Sequence, residues 1–174
     1  MTLVYLLIIA VTILYITTAL VSLILRVPYV PTKKRVMHKI LQEAKLKKGE
    51  NFYDLGCGDA RMLIEAEKMK KVNAKGYEIA PLVYLLAIVR KLFTNSNAKI
   101  HFKNFFYENL NDADVIFCYL MPHELTKLAK KIKKECKKGT RIISNTFQIK
   151  GLEPERVIQK NEKTKIPTLY FYKI

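Results

Sequence analysis

Phe52-Tyr-Asp-Leu-Gly-Cys-Gly-Asp-Ala-Arg61 is a short apolar run that ends beside an acid, turns through two glycines and continues into a helical pattern. A strand that enters Gly-x-Gly at the start of a helix is the nucleotide-binding arrangement of doubly wound sheets. Glycine permits the tight turn and lets a ligand approach the helix amino terminus. A dinucleotide fingerprint would need glycines at 56, 58 and 61, but position 61 is Arg. No Gly-Lys-Ser/Thr follows, which excludes a P-loop. Asp54 stands at the end of the strand, and Glu78 ends the next apolar run 20 residues after Gly58. At that spacing a carboxylate can accept the hydroxyls of a ribose. A loop without room for pyrophosphate, flanked by two acids, favours a nucleoside that carries positive charge. S-adenosylmethionine, with its sulfonium and its ammonium, meets that description.

Outward from the loop, strands and helices alternate. Strands are expected at Asn51–Leu55, Ala74–Ile79, Lys99–Phe102, Asp114–Leu120 and Arg141–Ser144, with Arg156–Gln159 and Thr168–Tyr172 as a closing antiparallel pair. Helical spacing of apolar residues predicts helices from an N-cap at Thr32 through Ala44, over Ala60–Lys70, from Pro81 through Phe93, and over Glu124–Lys137. The pattern implies a mostly parallel sheet covered on both faces. Three cysteines (Cys57, Cys118, Cys136) and three histidines lie too far apart for a zinc site or a disulfide scaffold, so no metal is expected.

The 174 residues carry 31 Lys and Arg against 15 Asp and Glu, and none of these charges falls within residues 1–25. Leu3 to Leu25 reaches about 34 Å as a helix, enough for a hydrocarbon core of about 30 Å. The stretch before it holds no Lys or Arg, and the apolar core is longer than that of a signal peptide. It reads as an uncleaved transmembrane anchor, the alternative being a buried core helix. Arg26, Lys33, Lys34, Arg35 and Lys39 follow the span. They place the amino terminus outside and the domain in the cytoplasm, a single-pass topology. The chain thus divides into an anchor (1–25), a basic juxtamembrane linker and helix (26–48), stiffened by Pro28 and Pro31, and a domain (49–174).

Asp54-Leu-Gly-Cys-Gly-Asp59 and Glu78 resemble the first two motifs of class I S-adenosylmethionine-dependent methyltransferases. Together with Val27-Pro-Tyr-Val-Pro-Thr32 after the span, Gly76-Tyr-Glu78, Asn104-Phe-Phe106, Tyr119-Leu-Met-Pro122 and Gly139-Thr-Arg-Ile-Ile-Ser144, they are similar to a narrower family. It comprises the mitochondrial lysine methyltransferases of ATP synthase subunit c and of the adenine nucleotide translocase, with prokaryotic relatives. The resemblance implies a Rossmann-like seven-strand methyltransferase sheet, mostly parallel with an antiparallel closing strand, preceded by the one transmembrane helix. It puts the cofactor across the carboxyl ends of strands one, two and four. Asp54, Gly56, Cys57 and Gly58 then line its methionine end, Glu78 takes the ribose, and Asn104 lies on the adenine side. Two departures stand out: Ala60 replaces the family's usual third glycine, and Asn104 its commoner Asp.

Methyl transfer from a sulfonium needs alignment of the two reactants and a desolvated acceptor. A lysine amine must be neutral to attack, and an apolar mouth lowers its pKa from about 10.4. Tyr119, Met121 and Pro122, after strand four, and Phe147, after strand five, are the expected acceptor wall. Tyr119 would orient the amine and His123 would accept a proton. The alternatives are that Tyr119 and Phe147 are core aromatics and that His123 is structural. Cys57 and Cys118 read as small buried residues rather than nucleophiles. Lys127, Lys130, Lys131, Lys133, Lys134, Lys137 and Lys138 crowd one helix. Lys without interleaved aromatics beside an anchor favours an anionic lipid surface over nucleic acid. The expected acceptor is a cytoplasm-facing lysine of an integral membrane protein. The alternatives are a lipid or other small membrane-associated acceptor, and a non-catalytic nucleotide- or RNA-binding module.

Overall fold

The structure, a computed structural model, describes residues 2–25 and 29–174. The predicted linker residues Arg26, Val27 and Pro28, with the first of the flanking charges, lie outside the described residues.

The elements run α1 (Thr2–Leu25), α2 (Lys34–Glu43), β1 (Asn51–Leu55), α3 (Arg61–Lys70), β2 (Asn73–Glu78), α4 (Pro81–Phe93), β3 (Lys99–Phe102), a 3₁₀ turn (Phe105–Tyr107), β4 (Val115–Cys118), α5 (Pro122–Glu135), β5 (Arg141–Asn145), β6 (Arg156–Ile158) and β7 (Leu169–Lys173). They form one seven-stranded sheet in the order β3-β2-β1-β4-β5-β7-β6. The first five strands in that order are parallel, and β7 runs antiparallel to both β5 and β6. This is the Rossmann-like methyltransferase sheet expected from the sequence. The order reverses between β1 and β4, and in open α/β sheets that switch point is where ligands bind, outside the carboxyl ends of the strands.

Alternate residues of each strand serve opposite faces. Phe52, Phe117 and Ile143 pack under α2, α3 and α4, against Ile40, Leu41, Leu63 and Ala87. Tyr53, Leu55, Ile116 and Ile142 pack under α5, against Leu125, Leu128 and Ile132. The lysine-rich helix therefore lies on the opposite side of the sheet from α4. Helix α1 lies outside both cores and packs along α4, where the Thr18 hydroxyl accepts the Leu82 N–H at 2.9 Å.

Several predicted helix ends differ, two of them at positions that bear on the site. Thr32 does not cap α2: the helix begins at Lys34 with Lys33 at the N-cap and no side-chain cap bond. The Thr32 carbonyl instead accepts from the Arg61 guanidinium at 3.3 Å. Helix α5 begins at Pro122, two residues before the predicted start. Proline suits the first helical position, where its fixed φ matches the helix and its missing N–H costs nothing.

Candidate active site

A cavity of about 250 Å³ opens at the carboxyl ends of β1, β2 and β4. Its floor is the glycine turn between β1 and α3. Three residues there take left-handed backbone, Gly56 (φ +81), Gly58 (φ +56) and Ala60 (φ +61). At Ala60 this conformation costs about 1 kcal/mol or more, and the residue is fully buried. It accounts for the glycine that the resembled family places there. A Cβ at Gly58 would come within 3.0 Å of the Tyr29 ring, so only glycine lets the segment after α1 close over the turn.

Asp54 is 2% exposed and faces the cavity. Its carboxylate has no hydrogen-bond partner among the described residues. Burial, then the neighbouring carboxylates of Glu78 and Asp59, push its pKa well above the ordinary range. A buried anion without a partner is costly and is relieved by an arriving cation. Glu78 is held differently. One oxygen accepts the Gly58 N–H at 2.9 Å, and the other accepts the N–H groups of Ile79 and Ala80, each at 2.8 Å. Burial raises its pKa while these three amides pull it down, and the net direction is upward. Glu78 therefore ties the glycine turn to the end of β2 and still lines the cavity.

Asp59, the third acid, is neutralised by cations. Arg61 donates Nε and Nη2 to it at 2.8 and 2.6 Å, and Arg90 of α4 donates at 2.7 Å. Burial works to raise its pKa, but the Arg61 bond and the two guanidinium charges bring it below the usual value. Tyr29 leans on the same cluster, its own pKa raised by burial and by Asp59. The segment that follows α1 is thus strapped to the glycine turn. Tyr29, Asp59, Arg61 and Arg90 received no role from the sequence; the signal was Tyr29 within the Val27–Thr32 block.

The facing wall is apolar and aromatic. Tyr119, Met121 and Phe147 line it with Phe106, while Ser22 of α1 and Val30 line the cavity nearer the glycine turn and the start of α4. Asn104 also lines the cavity, but its side-chain oxygen accepts the Phe106 N–H at 3.0 Å and so caps the 3₁₀ turn. Of the expected site residues, Asp54, Gly56, Cys57, Gly58, Glu78, Asn104, Tyr119, Met121 and Phe147 converge on the one cavity. Pro122 and His123 do not line it. They form the exposed first turn of α5, where the His123 imidazole lies 3.2 Å from Glu124. Glu124 is itself buried and reaches the cavity, unforeseen from the sequence.

The two central cysteines are inert. Cys57 is buried and its pKa is pushed well up, by burial and then by Asp54 and Glu78. Burial pushes Cys118 up to about 12, and its sulfur lies 3.7 Å from the Ile143 carbonyl. Neither is a thiolate at neutral pH, as a nucleophile would have to be.

Comparison with known proteins agrees with this geometry. The family profile of the ANTKMT methyltransferase domain matches residues 54–156. A protein-lysine N-methyltransferase of Saccharolobus islandicus is 36% identical over 156 residues, covering 88% of this chain and 97% of that protein. The mouse adenine nucleotide translocase lysine N-methyltransferase is 29% identical over 140 residues, covering 79% of this chain and 61% of that protein. Among solved structures, an RNA methyltransferase of Salinibacter ruber in complex with S-adenosyl-L-homocysteine superposes with a TM-score of 0.78 and 26% identity. The match covers 83% of this chain and 94% of that one.

Proposed function

The chain belongs to the ANTKMT methyltransferase domain family, an S-adenosylmethionine-dependent methyltransferase family, and from that premise we propose that it methylates lysine side chains of an integral membrane protein close to the bilayer surface. The observation that carries this reading is Ser22. It belongs to α1, the one helix among the described residues long and apolar enough to cross a membrane, yet it lines the same cavity as Asp54 and Glu78. An acceptor reaching that cavity approaches it beside the anchor.

Asp54, buried and without a hydrogen-bond partner among the described residues, and the glycine turn suit the cationic methionine end of the cofactor, and Glu78 suits the ribose. Asn104 lies where the adenine side would be. When bound, S-adenosylmethionine supplies a methyl group on a positively charged sulfur, which departs as a neutral thioether when an amine attacks. Tyr119, Met121 and Phe147 exclude water from the acceptor and so favour the neutral amine, whose lone pair is needed for attack. Tyr119 orients that amine. His123 stands outside the cavity wall, so the amine's proton does not pass to it.

The basic residues after α1 favour a reading in which the domain faces the cytoplasm. Tethering enzyme and acceptor in one bilayer raises their effective concentration. Two relatives in this family carry names that point to protein lysine as acceptor, one of them the lysine of a membrane carrier. The test is incubation of the full-length protein with methyl-labelled S-adenosylmethionine and membranes of its own host, with Asp54→Ala alongside. Label recovered as methyl-lysine from a membrane-protein band, and absent with Asp54→Ala, is the expected result. Label in lipid or in RNA would keep the enzyme class and overturn the acceptor.

A further inference from the structure

Helix α4 is apolar on two faces. Val83 and Ala87 point into the core. On the other side Leu85, Leu86, Val89, Leu92 and Phe93 are exposed, Leu92 at 68% and Phe93 at 86%. Phe102 of β3, half exposed, extends the patch through Tyr84, the two ring centroids lying 5.2 Å apart. Single exposed leucines are ordinary, but a contiguous face of this kind marks a contact. A helix that is apolar all round belongs inside a protein or inside lipid.

What covers this face is indicated by its neighbour. The half-buried residues of α1 are Leu14, Thr18, Val21 and Ser22, one stripe at helical spacing that meets α4. The other apolar side chains described in α1 are exposed, and α1 lies alongside α4 and its exposed face. Whatever solvates one solvates the other, and hydrocarbon does so without shape complementarity. Cations suited to headgroups are at hand: Lys33, Lys34 and Arg35 are exposed at the start of α2, on the same side of the sheet as α4. The exposed lysines of α5 lie on the other side.

We propose that α4 is an interfacial helix whose Leu85, Leu86, Val89, Leu92 and Phe93 insert into the lipid beside α1, so that the domain docks by its α1–α4 side and not by the lysine-rich α5. Ala80 and Val83, at the start of α4, line the cavity with Ser22, so docking in this orientation puts the cavity mouth at the membrane surface. The inference rests on the membrane-anchored reading above but is tested apart from methyl transfer.

The chain contains no tryptophan, which makes single-tryptophan reporters clean. Phe93→Trp and Leu86→Trp on α4, Tyr15→Trp in α1 and Lys130→Trp on α5 are introduced separately into the full chain. Each is reconstituted in phosphatidylcholine vesicles with a phosphatidylglycerol fraction, with and without brominated acyl chains. The proposal expects blue-shifted emission, strongly quenched by bromine, from both α4 reporters and from Tyr15→Trp. Lys130→Trp should emit as in water and be quenched by aqueous acrylamide. Water-like α4 emission beside a quenched Tyr15→Trp would overturn the docking and leave the anchor intact. An α4 reporter shielded from both quenchers would overturn it in favour of a protein partner, such as a second copy. An unquenched Tyr15→Trp would remove docking and anchor together. Methyl-lysine formation, measured on the same vesicles with acceptor present, reports separately on the proposed function.

Discussion

The cavity wall that holds Asp54 and Glu78 is made within a single strand–helix–strand unit. The wall across from it gathers Tyr119, Met121 and Phe147 from the segments that follow β4 and β5. The first wall is polar and fixed by backbone: left-handed turns, three amide hydrogen bonds to Glu78, and the Asp54 carboxylate without a partner among the described residues. The second is apolar and fixed by tertiary packing. The difference separates two tasks. On the proposed reading the polar cradle would hold the cofactor, and the apolar, open surface would admit the acceptor lysine.

If the two walls are independent, their variants should separate as well. The largest effect is expected at Asp54. Asp54→Ala removes the group that meets positive charge and should weaken S-adenosylmethionine binding about 100-fold, as loss of a charge-assisted contact does; calorimetry on the full chain measures it. The same residue gives a pH signature. Its folded pKa lies above the unfolded one, so its contribution to the stability of the cofactor-free protein is present at acid pH and fades as pH rises through the folded value. Cofactor binding runs the other way, weakening on acidification through that pKa, which lies above the ordinary carboxylate range. Asp54→Asn should flatten both dependences and raise the neutral-pH melting temperature of the cofactor-free protein, while still impairing binding.

Glu78→Gln comes next. A neutral amide cannot accept from all three N–H groups without turning its own NH₂ toward one, so cofactor affinity should fall about tenfold. Across the cavity, Phe147→Ala and Tyr119→Ala should raise the acceptor KM about tenfold and leave cofactor Kd within about twofold, the loss being that of an aromatic contact. A parallel loss of cofactor affinity would break the separation. The smallest effect is at Ala60. Ala60→Gly relieves the left-handed strain and should stabilise the protein by about 0.5–1 kcal/mol, or about 2 °C in melting temperature.

The contrast between the walls also explains what could be read from the chain. Asp54, Gly56, Gly58 and Glu78 are close in sequence and governed by local backbone rules, so their order alone indicates a nucleoside site. The alternation of strands and helices likewise leads to the sheet. The clamp of Tyr29, Arg61 and Arg90 on Asp59 was not legible, because its members come from three segments and resemble ordinary surface charges until folded together. Thr32 looked like a cap by residue type, but its carbonyl serves Arg61 and the helix starts later. His123 looked catalytic beside Pro122 until the earlier start of α5 turned both outward. The apolar run of α4 was plain, although which side faced out depended on where α1 lay.

The most direct test of the two-wall account is calorimetric titration of S-adenosylmethionine onto the full-length protein in lipid nanodiscs, comparing wild type, Asp54→Ala and Phe147→Ala. The account predicts matching affinities for wild type and Phe147→Ala, with binding by Asp54→Ala reduced about 100-fold. Wild-type affinity in Asp54→Ala, or equal losses in both variants, would contradict it.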